Sequence, residues 1–373
     1  MAPSHGAQLL FFESRRQMLL SPPVADPPRP DQPEYVTARI GQPQSPYTTG
    51  QYQAVDPAQT QALAAALAEG DLPPGTSVVQ QKRFEVVERL GEGGMGKIYK
   101  AYDPTMDRYV ALKVLKPDVP ESETSRFHRE AVVAANFSHP NLVRVLEVGA
   151  SETFQWFAME YLRGNDVGHV LARRRYISFR VLIDIFVQTL DALHYIHTRS
   201  IAHCDIKPEN IFITRDAYDR KLVIVKLIDF GIARDYGGPL ELHTHITGDP
   251  RYMAPEQAVI NGRIDHRVDL YALGVTFYEV VTTRHPVEEH FELPPQKLLA
   301  VQVREEFEPP SLFMPQNTPP ELAAAVDDFV ARACAKDPER RHADALEMQA
   351  ELNSMLGILN QISGGEDDDD LGT

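Results

Sequence analysis

A glycine-rich turn between two strand-like segments constrains the fold of this chain more than any other feature. Three apolar and aromatic segments follow one another, Phe84–Leu90, Lys97–Tyr102 and Tyr109–Leu115, with short turns between them. The first turn reads Gly91-Glu92-Gly93-Gly94-Met95-Gly96. Because parallel strands need a much longer crossover, these short connections predict an antiparallel meander with a glycine loop at its first turn.

The glycines predict a loop whose backbone approaches an anion. Gly91, Gly93 and Gly96 avoid side-chain collision with a ligand, and their amides can face phosphate oxygens. The pattern alone is weak evidence, but dinucleotide folds and P-loops lead from such a loop into a helix. Here a strand-like segment follows, and Ile98 stands where a P-loop requires Ser or Thr for magnesium. We therefore expect a phosphate-covering loop of a different kind.

A lone lysine in the third strand requires a neutralising partner. Lys113 lies in an apolar segment, where an unpaired charge is costly. Its candidate carboxylate is Glu130, in a helical pattern that begins near the capping candidates Ser122 and Thr124. The alternative is a surface pair between Glu130 and Arg126, worth a few tenths of a kcal/mol. The nearby glycine loop favours the pair with Lys113.

Composition limits the class of protein. The chain has 373 residues, 43% of them hydrophobic, which is enough for a packed core. A formal net charge of −16 argues against nucleic-acid binding. With Cys204 and Cys334 as its two cysteines, the chain lacks a disulfide framework, which favours a reducing compartment. No apolar run approaches the roughly 20 residues of a membrane span, and the start lacks a signal peptide, so we expect a cytoplasmic protein.

Both ends of the chain have low-complexity character. Residues 21–46 contain eight prolines, and we expect residues 1–75 to be largely disordered, with a short Ala-rich helix near Gln59–Glu69. The Pro-rich segment is interpreted as a linker, and a ligand for a proline-binding partner is the alternative. The run Glu366–Asp370 predicts that residues 359–373 form an acidic flexible tail.

Four further motifs follow the glycine loop in a fixed order. They are Val110-Ala111-Leu112-Lys113, His203-Cys204-Asp205, Asp229-Phe230-Gly231 and Ala254-Pro255-Glu256. With these motifs, residues 84–355 resemble the catalytic domain of the eukaryotic-type (Hanks-type) serine/threonine protein kinases, especially their bacterial branch. The resemblance implies an α+β, two-lobed protein-kinase fold over residues 76–358. Its N-lobe, about 84–162, carries an antiparallel β-sheet and helix C, and its C-lobe, about 163–358, is mainly α-helical.

The resemblance implies four catalytic residues: Asp205, Lys207, Lys113 and Glu130. Asp205 accepts or orients the proton of the acceptor hydroxyl, and Lys207 neutralises the transferred group. Asn210 and Asp229 bind Mg²⁺ through oxygen, with Mn²⁺ as an alternative ion.

A larger set of residues is implied to bind ATP: Gly91, Gly93, Gly96, Ile98, Ala111, Lys113, Met159, Glu160, Leu162, Asp166, Asn210 and Asp229. The segment that starts at Met159, the gatekeeper position, resembles the hinge whose backbone binds adenine. Asp166 has two interpretations that the sequence leaves open. It either contacts the ribose or caps the following helix, Val167–Arg173.

Two supporting residues are also implied by the resemblance. Glu256 pairs with an arginine of the segment 336–341, and family spacing selects Arg341. Asp269 holds the backbone of the catalytic loop without contacting substrate.

Two positions depart from the family pattern. Cys204 replaces an arginine that binds a phosphorylated activation loop in many regulated kinases. We therefore expect activity to be independent of phosphorylation at Thr244 and Thr247. Asp249 replaces a threonine, and it either pairs with Lys207 or crowds Asp205 with like charge.

The resemblance implies transfer of the γ-phosphoryl group of MgATP to Ser or Thr of proteins, including autophosphorylation. A pseudokinase or ATP-binding scaffold is the alternative from another class, because of Cys204 and Asp249. A small-molecule kinase is less favoured, since Ala254-Pro255-Glu256 implies a loop that docks proteins.

Overall fold

The computed structural model describes most of the chain beyond its Pro-rich start. The described residues are 57–78, 84–117, 119–150, 155–173, 177–215, 222–236, 248–259 and 264–362. Thr244, Thr247, the Pro-rich segment 21–46 and the acidic run Glu366–Asp370 lie outside them.

The N-lobe sheet confirms the predicted antiparallel meander. Its strands are β1 Ser77–Val78, β2 Phe84–Glu92, β3 Gly96–Asp103, β4 Arg108–Leu115, β5 Val145–Ala150 and β6 Gln155–Glu160. They lie in the order β1-β2-β3-β4-β6-β5, and each neighbouring pair is antiparallel. Strands β2 and β3 run directly into the glycine loop, which therefore has a rigid stem on either side.

Helix α2, Glu121–Ala135, packs against this sheet in the place of helix C. Its Phe127 and Ala131 form a small core with Leu115 and Phe157 of the sheet. The predicted caps were wrong, because the helix begins directly after Pro120 without a side-chain cap. Two glutamates in its first turn instead interact favourably with the positive end of the helix dipole.

A helix upstream of the sheet extends the N-lobe core. Helix α1, Pro57–Glu69, confirms the helix predicted near Gln59–Glu69. Its Leu63 and Leu67, together with Leu72, are at most 5% exposed and pack with the apolar residues of the first strands. Packed structure therefore begins before residue 76, the boundary expected from composition. The i, i+4 spacing of the two leucines was the sequence signal.

The C-lobe is mainly helical. Its helices are α3 Val167–Ala172, α4 Phe179–His197, α5 Arg267–Thr282, α6 Pro295–Arg304, α7 Pro320–Ala333 and α8 Ala345–Ile362. Its short strands are β7 Gly164–Asp166, β8 Ile201–Ala202, β9 Ile211–Arg215, β10 Val223–Leu227 and β11 Arg234–Asp235. They form two small sheets, β10-β9-β7 and β11-β8. The two-lobed α+β fold is thereby confirmed.

Helix α5 is the centre of the C-lobe core. Thirteen of its 16 residues are buried, which is why its sequence is apolar on all sides rather than on one stripe. Helix α4 contacts it through edge-to-face packing of Phe186 against Phe277. Among the described helices, none is long and apolar enough to cross a bilayer.

Candidate active site

The glycine loop is held closely against strand β4. A Cβ added at Gly96 would lie 2.7 Å from the carbonyl oxygen of Val114, so any side chain there forces the loop to move. Within the loop, the amide of Gly93 donates to the carbonyl of Gly96 at 2.8 Å. Lys116 donates to the carbonyl of Gly93, also at 2.8 Å. The loop is therefore compact, yet a Cβ added at Gly91 or Gly94 would have no atom within 4 Å beyond the adjacent residues.

The predicted nucleotide-contacting side chains of the sheet share one face. Ile98 pairs directly with Lys113, and Ala111 pairs directly with Met159. Directly paired residues point to the same face of a sheet, as do residues two apart on one strand. The sheet therefore presents these four side chains side by side below the glycine loop.

Lys113 is buried against a carboxylate, as the sequence predicted. Its Nζ lies 2.6 Å from both carboxylate oxygens of Glu130, and the two side chains are only 8% and 5% exposed. The nearest oxygen of Asp229 is 3.9 Å away. Burial alone would lower the pKa of Lys113, but the carboxylates of Asp229 and Glu130 outweigh it and raise the pKa. Lys113 is therefore positively charged.

Asp205 has one carboxylate oxygen occupied by its own loop. Lys207 and the side-chain amide of Asn210 both contact Oδ2 of Asp205, each at 2.9 Å. Asn210 also donates to the backbone carbonyl of Asp205 at 2.7 Å. This arrangement fixes the carboxylate and leaves Oδ1 for an acceptor hydroxyl.

Asp269 fixes the backbone that carries Asp205. Its fully buried carboxylate accepts the amide hydrogens of His203 and Cys204 at 2.8 and 2.7 Å, and it lies 2.8 Å from Nε2 of His197. Burial raises the pKa of Asp269, but these hydrogen bonds and the nearby histidines lower it overall. The predicted supporting role is confirmed.

Asp229 and Asn210, the two residues predicted to bind a cation, each have a side-chain oxygen that could contact one. The hydrogen bonds that Asn210 makes come from its amide nitrogen, which leaves the amide oxygen for a metal. Asp229 is 38% exposed, and its pKa is lowered because Lys113 and the Gly231 amide outweigh desolvation. No described group of three His, Cys, Asp or Glu residues could hold a metal. A two-residue site suits magnesium, which binds to one or two carboxylates plus phosphates.

The carboxylate of Asp166 caps helix α3. It accepts the backbone amide of His169 at 2.7 Å, so the capping interpretation is the one observed, and a ribose contact stays a prediction. The carboxylate of Glu160 in the hinge accepts from Lys226 at 2.7 Å and from the backbone amide of Arg144 at 2.9 Å. Its side chain joins the hinge to strand β10, and its backbone amide donates to the carbonyl of Arg144 at 3.0 Å.

Asp249 pairs with Arg251, a partner that was not predicted from the sequence. Its carboxylate accepts two parallel hydrogen bonds from Arg251, Nε to Oδ1 at 2.9 Å and Nη2 to Oδ2 at 2.5 Å. Lys207 pairs with Asp205 instead. Burial raises the pKa of Asp249, but Arg251 lowers it overall. The sequence signal that was missed is an arginine two residues after the aspartate.

Cys204 is a buried packing residue in the catalytic loop. It is 7% exposed with a left-handed backbone (φ 65°), and its sulfur lies 3.8 Å from the carbonyl of Ala202. Burial raises the pKa of the thiol above its usual value. A neutral, buried thiol cannot take over the phosphate-binding role of an arginine.

Glu256 and Arg341 form the predicted pair. The two guanidinium nitrogens lie 2.7 and 2.8 Å from the two carboxylate oxygens. The Arg341 side chain is fully buried and that of Glu256 is 14% exposed. This bidentate geometry ties the segment after the catalytic site to the C-terminal helices.

The two lobes contribute to one site. The ammonium group of Lys113, in the N-lobe sheet, lies 3.9 Å from the carboxylate of Asp229 in the C-lobe. The ring of Phe230 packs on the rings of Phe137 and His203, with centroid distances of 5.8 and 4.8 Å. Phosphoryl transfer by a two-lobed kinase requires a charged lysine, oxygen ligands for a metal and an orienting carboxylate, and the structure brings side chains of these types together.

Comparison with known proteins identifies the family. A model of the protein kinase domain matches residues 84–352. The serine/threonine-protein kinase Pkn3 of Myxococcus xanthus is 35% identical over 291 residues, covering 75% of this chain and 51% of the relative. PknB of Mycobacterium tuberculosis, named a serine/threonine-protein kinase, is 34% identical over 279 residues, covering 72% and 42%.

A probable serine/threonine-protein kinase of Clostridium perfringens is 34% identical over 276 residues, covering 73% of this chain and 38% of the relative. The chain thus spans about half the length of these relatives or less. The chain belongs to the protein kinase family, and its relatives place it with the Hanks-type serine/threonine kinases of bacteria.

Proposed function

We propose that this chain transfers the γ-phosphoryl group of MgATP to Ser or Thr hydroxyls of proteins, including its own. The observation that carries this proposal is the complete, mutually bonded set of polar groups around the site. Lys113 is paired with Glu130, and Asp205 is held by Lys207 and Asn210. Cys204 and Asp249, the two residues that depart from the family pattern, displace none of these groups.

In the proposed mechanism, each side chain holds a charge or a proton in place. Lys113 pairs the nucleotide phosphates, and Glu130 keeps its ammonium group in position. Oδ1 of Asp205 accepts the hydroxyl proton of the substrate and keeps its oxygen in line for attack. Lys207 neutralises charge that develops on the transferred group.

Asn210 and Asp229 are the residues proposed to hold magnesium, with manganese as an alternative ion. When bound, the ion would neutralise phosphate charge and orient the transferred group. The remaining nucleotide contacts proposed are the glycine loop, Ile98 and Ala111 of the sheet, and the hinge from Met159 to Leu162.

The proposal extends to domain limits, partners and location. The catalytic unit is proposed to span 76–358, with the family match inside it. Its partners are proteins with Ser or Thr acceptors, and a proline-binding module remains a candidate partner for the Pro-rich start. Low cysteine content supports a cytoplasmic location.

The decisive test is phosphate transfer by the purified full chain. Labelled ATP, magnesium and a generic basic protein should give labelled acceptor, and chelation of the metal should remove the label. An Asp229→Ala variant prepared in parallel controls for contaminating kinases. Equal labelling by both proteins would contradict the proposal, and nucleotide binding without any transfer would establish the scaffold alternative.

Activation is expected to be independent of Thr244 and Thr247. A Thr244→Ala/Thr247→Ala variant should keep activity within about twofold of the wild type, because buried Cys204 offers no charge for a phosphate at either position. Activity of the variant and of phosphatase-treated wild type would be compared by initial rates. Loss of activity in both proteins would show that activation requires phosphorylation.

Asp249 is expected to support catalysis through Arg251. An Asp249→Thr variant should lose about tenfold in kcat/KM for the protein acceptor, since both charge-assisted hydrogen bonds to Arg251 disappear. Asp265→Thr is a matched control. Asp265 pairs in the same way with the arginine two residues later, with Nη2 of Arg267 2.8 Å from Oδ2 of Asp265, and it lies outside the site. A gain of activity in Asp249→Thr would instead indicate that Asp249 crowds Asp205.

A further inference from the structure

One aspartate upstream of the sheet contacts both stems of the glycine loop. We call residues 57–78, which comprise helix α1, the following turn and strand β1, the N-terminal strap. Within it, Asp71 lies 3.1 Å from Arg89 and 3.3 Å from Lys97. Arg89 precedes the loop on β2, and Lys97 follows it directly on β3. A single carboxylate therefore bridges the two strands that enter and leave the loop.

The strap is fixed where it meets these strands. Strand β1 pairs with β2, and the amide of Gly75 donates to the carbonyl of Val86 at 2.7 Å. The hydroxyl of Tyr99 accepts from the Leu72 amide and donates to Asp71, both at 3.2 Å. These contacts hold Asp71 in position between the stems.

Burial of Lys97 shows how closely the strap covers the loop stem. Lys97 is 7% exposed, although lysines are rarely buried unless they are paired. Its ammonium group donates to the carbonyl of Gly70 and pairs with Asp71, both of which belong to the strap. Residues of the strap therefore pair with the ammonium group of Lys97, which directly follows Gly96, the last glycine of the loop.

A chain of ionic contacts continues from Asp71 into the loop itself. Arg89 pairs with Glu92 at 3.1 Å, and Glu92 pairs with Lys116 at 2.6 Å. Lys116 then donates to the loop carbonyl of Gly93 at 2.8 Å. The strap is therefore connected to the loop backbone by charged side chains on the outside of the sheet.

We propose that Asp71 is a positioning residue that sets the affinity for nucleotide by fixing the two stems of the glycine loop. The inference rests on the proposed role of that loop in covering ATP phosphates. A glycine-rich loop loses much conformational freedom when it closes on a ligand. Stems held at a fixed separation reduce that entropic cost before the nucleotide arrives.

The test compares three full-length variants with the wild type. Asp71→Asn removes the charge at constant size, and Asp71→Glu restores it. Asp107→Asn is the matched control, because Asp107 is an exposed aspartate at the other end of β3 that bonds only Tyr102 among the described contacts. KM for ATP, kcat, the Kd of a non-hydrolysable ATP analogue and the thermal unfolding midpoint are measured for each.

Asp71→Asn should raise KM and Kd about threefold to fivefold, with kcat at saturating ATP unchanged within about twofold. Asp71→Glu should recover most of the affinity, and Asp107→Asn should match the wild type. Unchanged affinity in Asp71→Asn would overturn the inference, as would a fall in kcat alone or an equal affinity loss in Asp107→Asn. Failure of the wild type itself to use ATP would instead refute the proposed function.

Discussion

Replacing Asp205 with asparagine is expected to lower the rate of phosphoryl transfer by about a thousandfold. The amide has the size of the carboxylate, and its oxygen can still accept from Lys207 and Asn210, which both contact one carboxylate oxygen in the wild type. Its NH₂ group then occupies the place of Oδ1. A donor at that place repels the acceptor hydroxyl's proton instead of accepting it, so the nucleophile is neither oriented nor deprotonated.

Nucleotide affinity should survive this change, because Asp205 is not among the residues proposed to contact ATP. We expect the Kd of a non-hydrolysable ATP analogue to stay within about threefold of the wild-type value. Initial rates with labelled ATP measure the transfer step. Asp191→Asn is the control, since Asp191 accepts from Gln349 at 2.7 Å on helix α4 and has no contact with the site. Full activity in Asp205→Asn would remove Asp205 from the proposed mechanism.

The strongest sequence predictions concerned residues whose partners lie in other motifs. Lys113 with Glu130, and Glu256 with Arg341, were predicted as pairs and are observed as pairs. The charge of Lys113 in an apolar segment required an opposite charge, and the nearby glycine loop favoured Glu130. The choice of Arg341 for Glu256 came from the spacing typical of the resembled family.

Sequence was insufficient where several partners were within reach. Asp249 was predicted either to pair with Lys207 or to crowd Asp205, and the partner observed for its carboxylate is Arg251 on the same turn. Asp166 likewise had two interpretations, and a local hydrogen bond to the next helix is the one observed. Residue spacing offered the observed partners as candidates, and local geometry decided between them and the alternatives.

The limits of the N-lobe show the same contrast. The meander was evident from strand-like segments and turn residues, but the contribution of the N-terminal strap was not. A Pro-rich composition suggested disorder up to residue 75, whereas Leu63 and Leu67 pack into the core. The contacts of Asp71 depend on that tertiary packing, so no local pattern could have predicted them.

Replacing Arg341 with methionine is expected to have the largest effect on stability, a loss of about 3–5 kcal/mol in the free energy of unfolding. The guanidinium group is fully buried and uses all five of its donors. Two of these bonds go to Glu256, and the others go to backbone carbonyls of Ala335, Lys336 and Arg267. Methionine fills a similar volume but leaves a largely buried carboxylate without its cation.

Denaturant unfolding of three variants separates the charge from the packing. Arg284→Met removes an exposed pair with Glu288, whose side chains are 42% and 35% exposed, and should cost less than about 1 kcal/mol. The double variant Arg341→Met/Glu256→Leu should be more stable than Arg341→Met alone, because no unpaired charge remains. If Arg341→Met costs no more than Arg284→Met, the buried pair does not stabilise the C-lobe. If the double variant is the less stable, the loss comes from the packing and carbonyl contacts of Arg341 rather than from the uncompensated charge of Glu256.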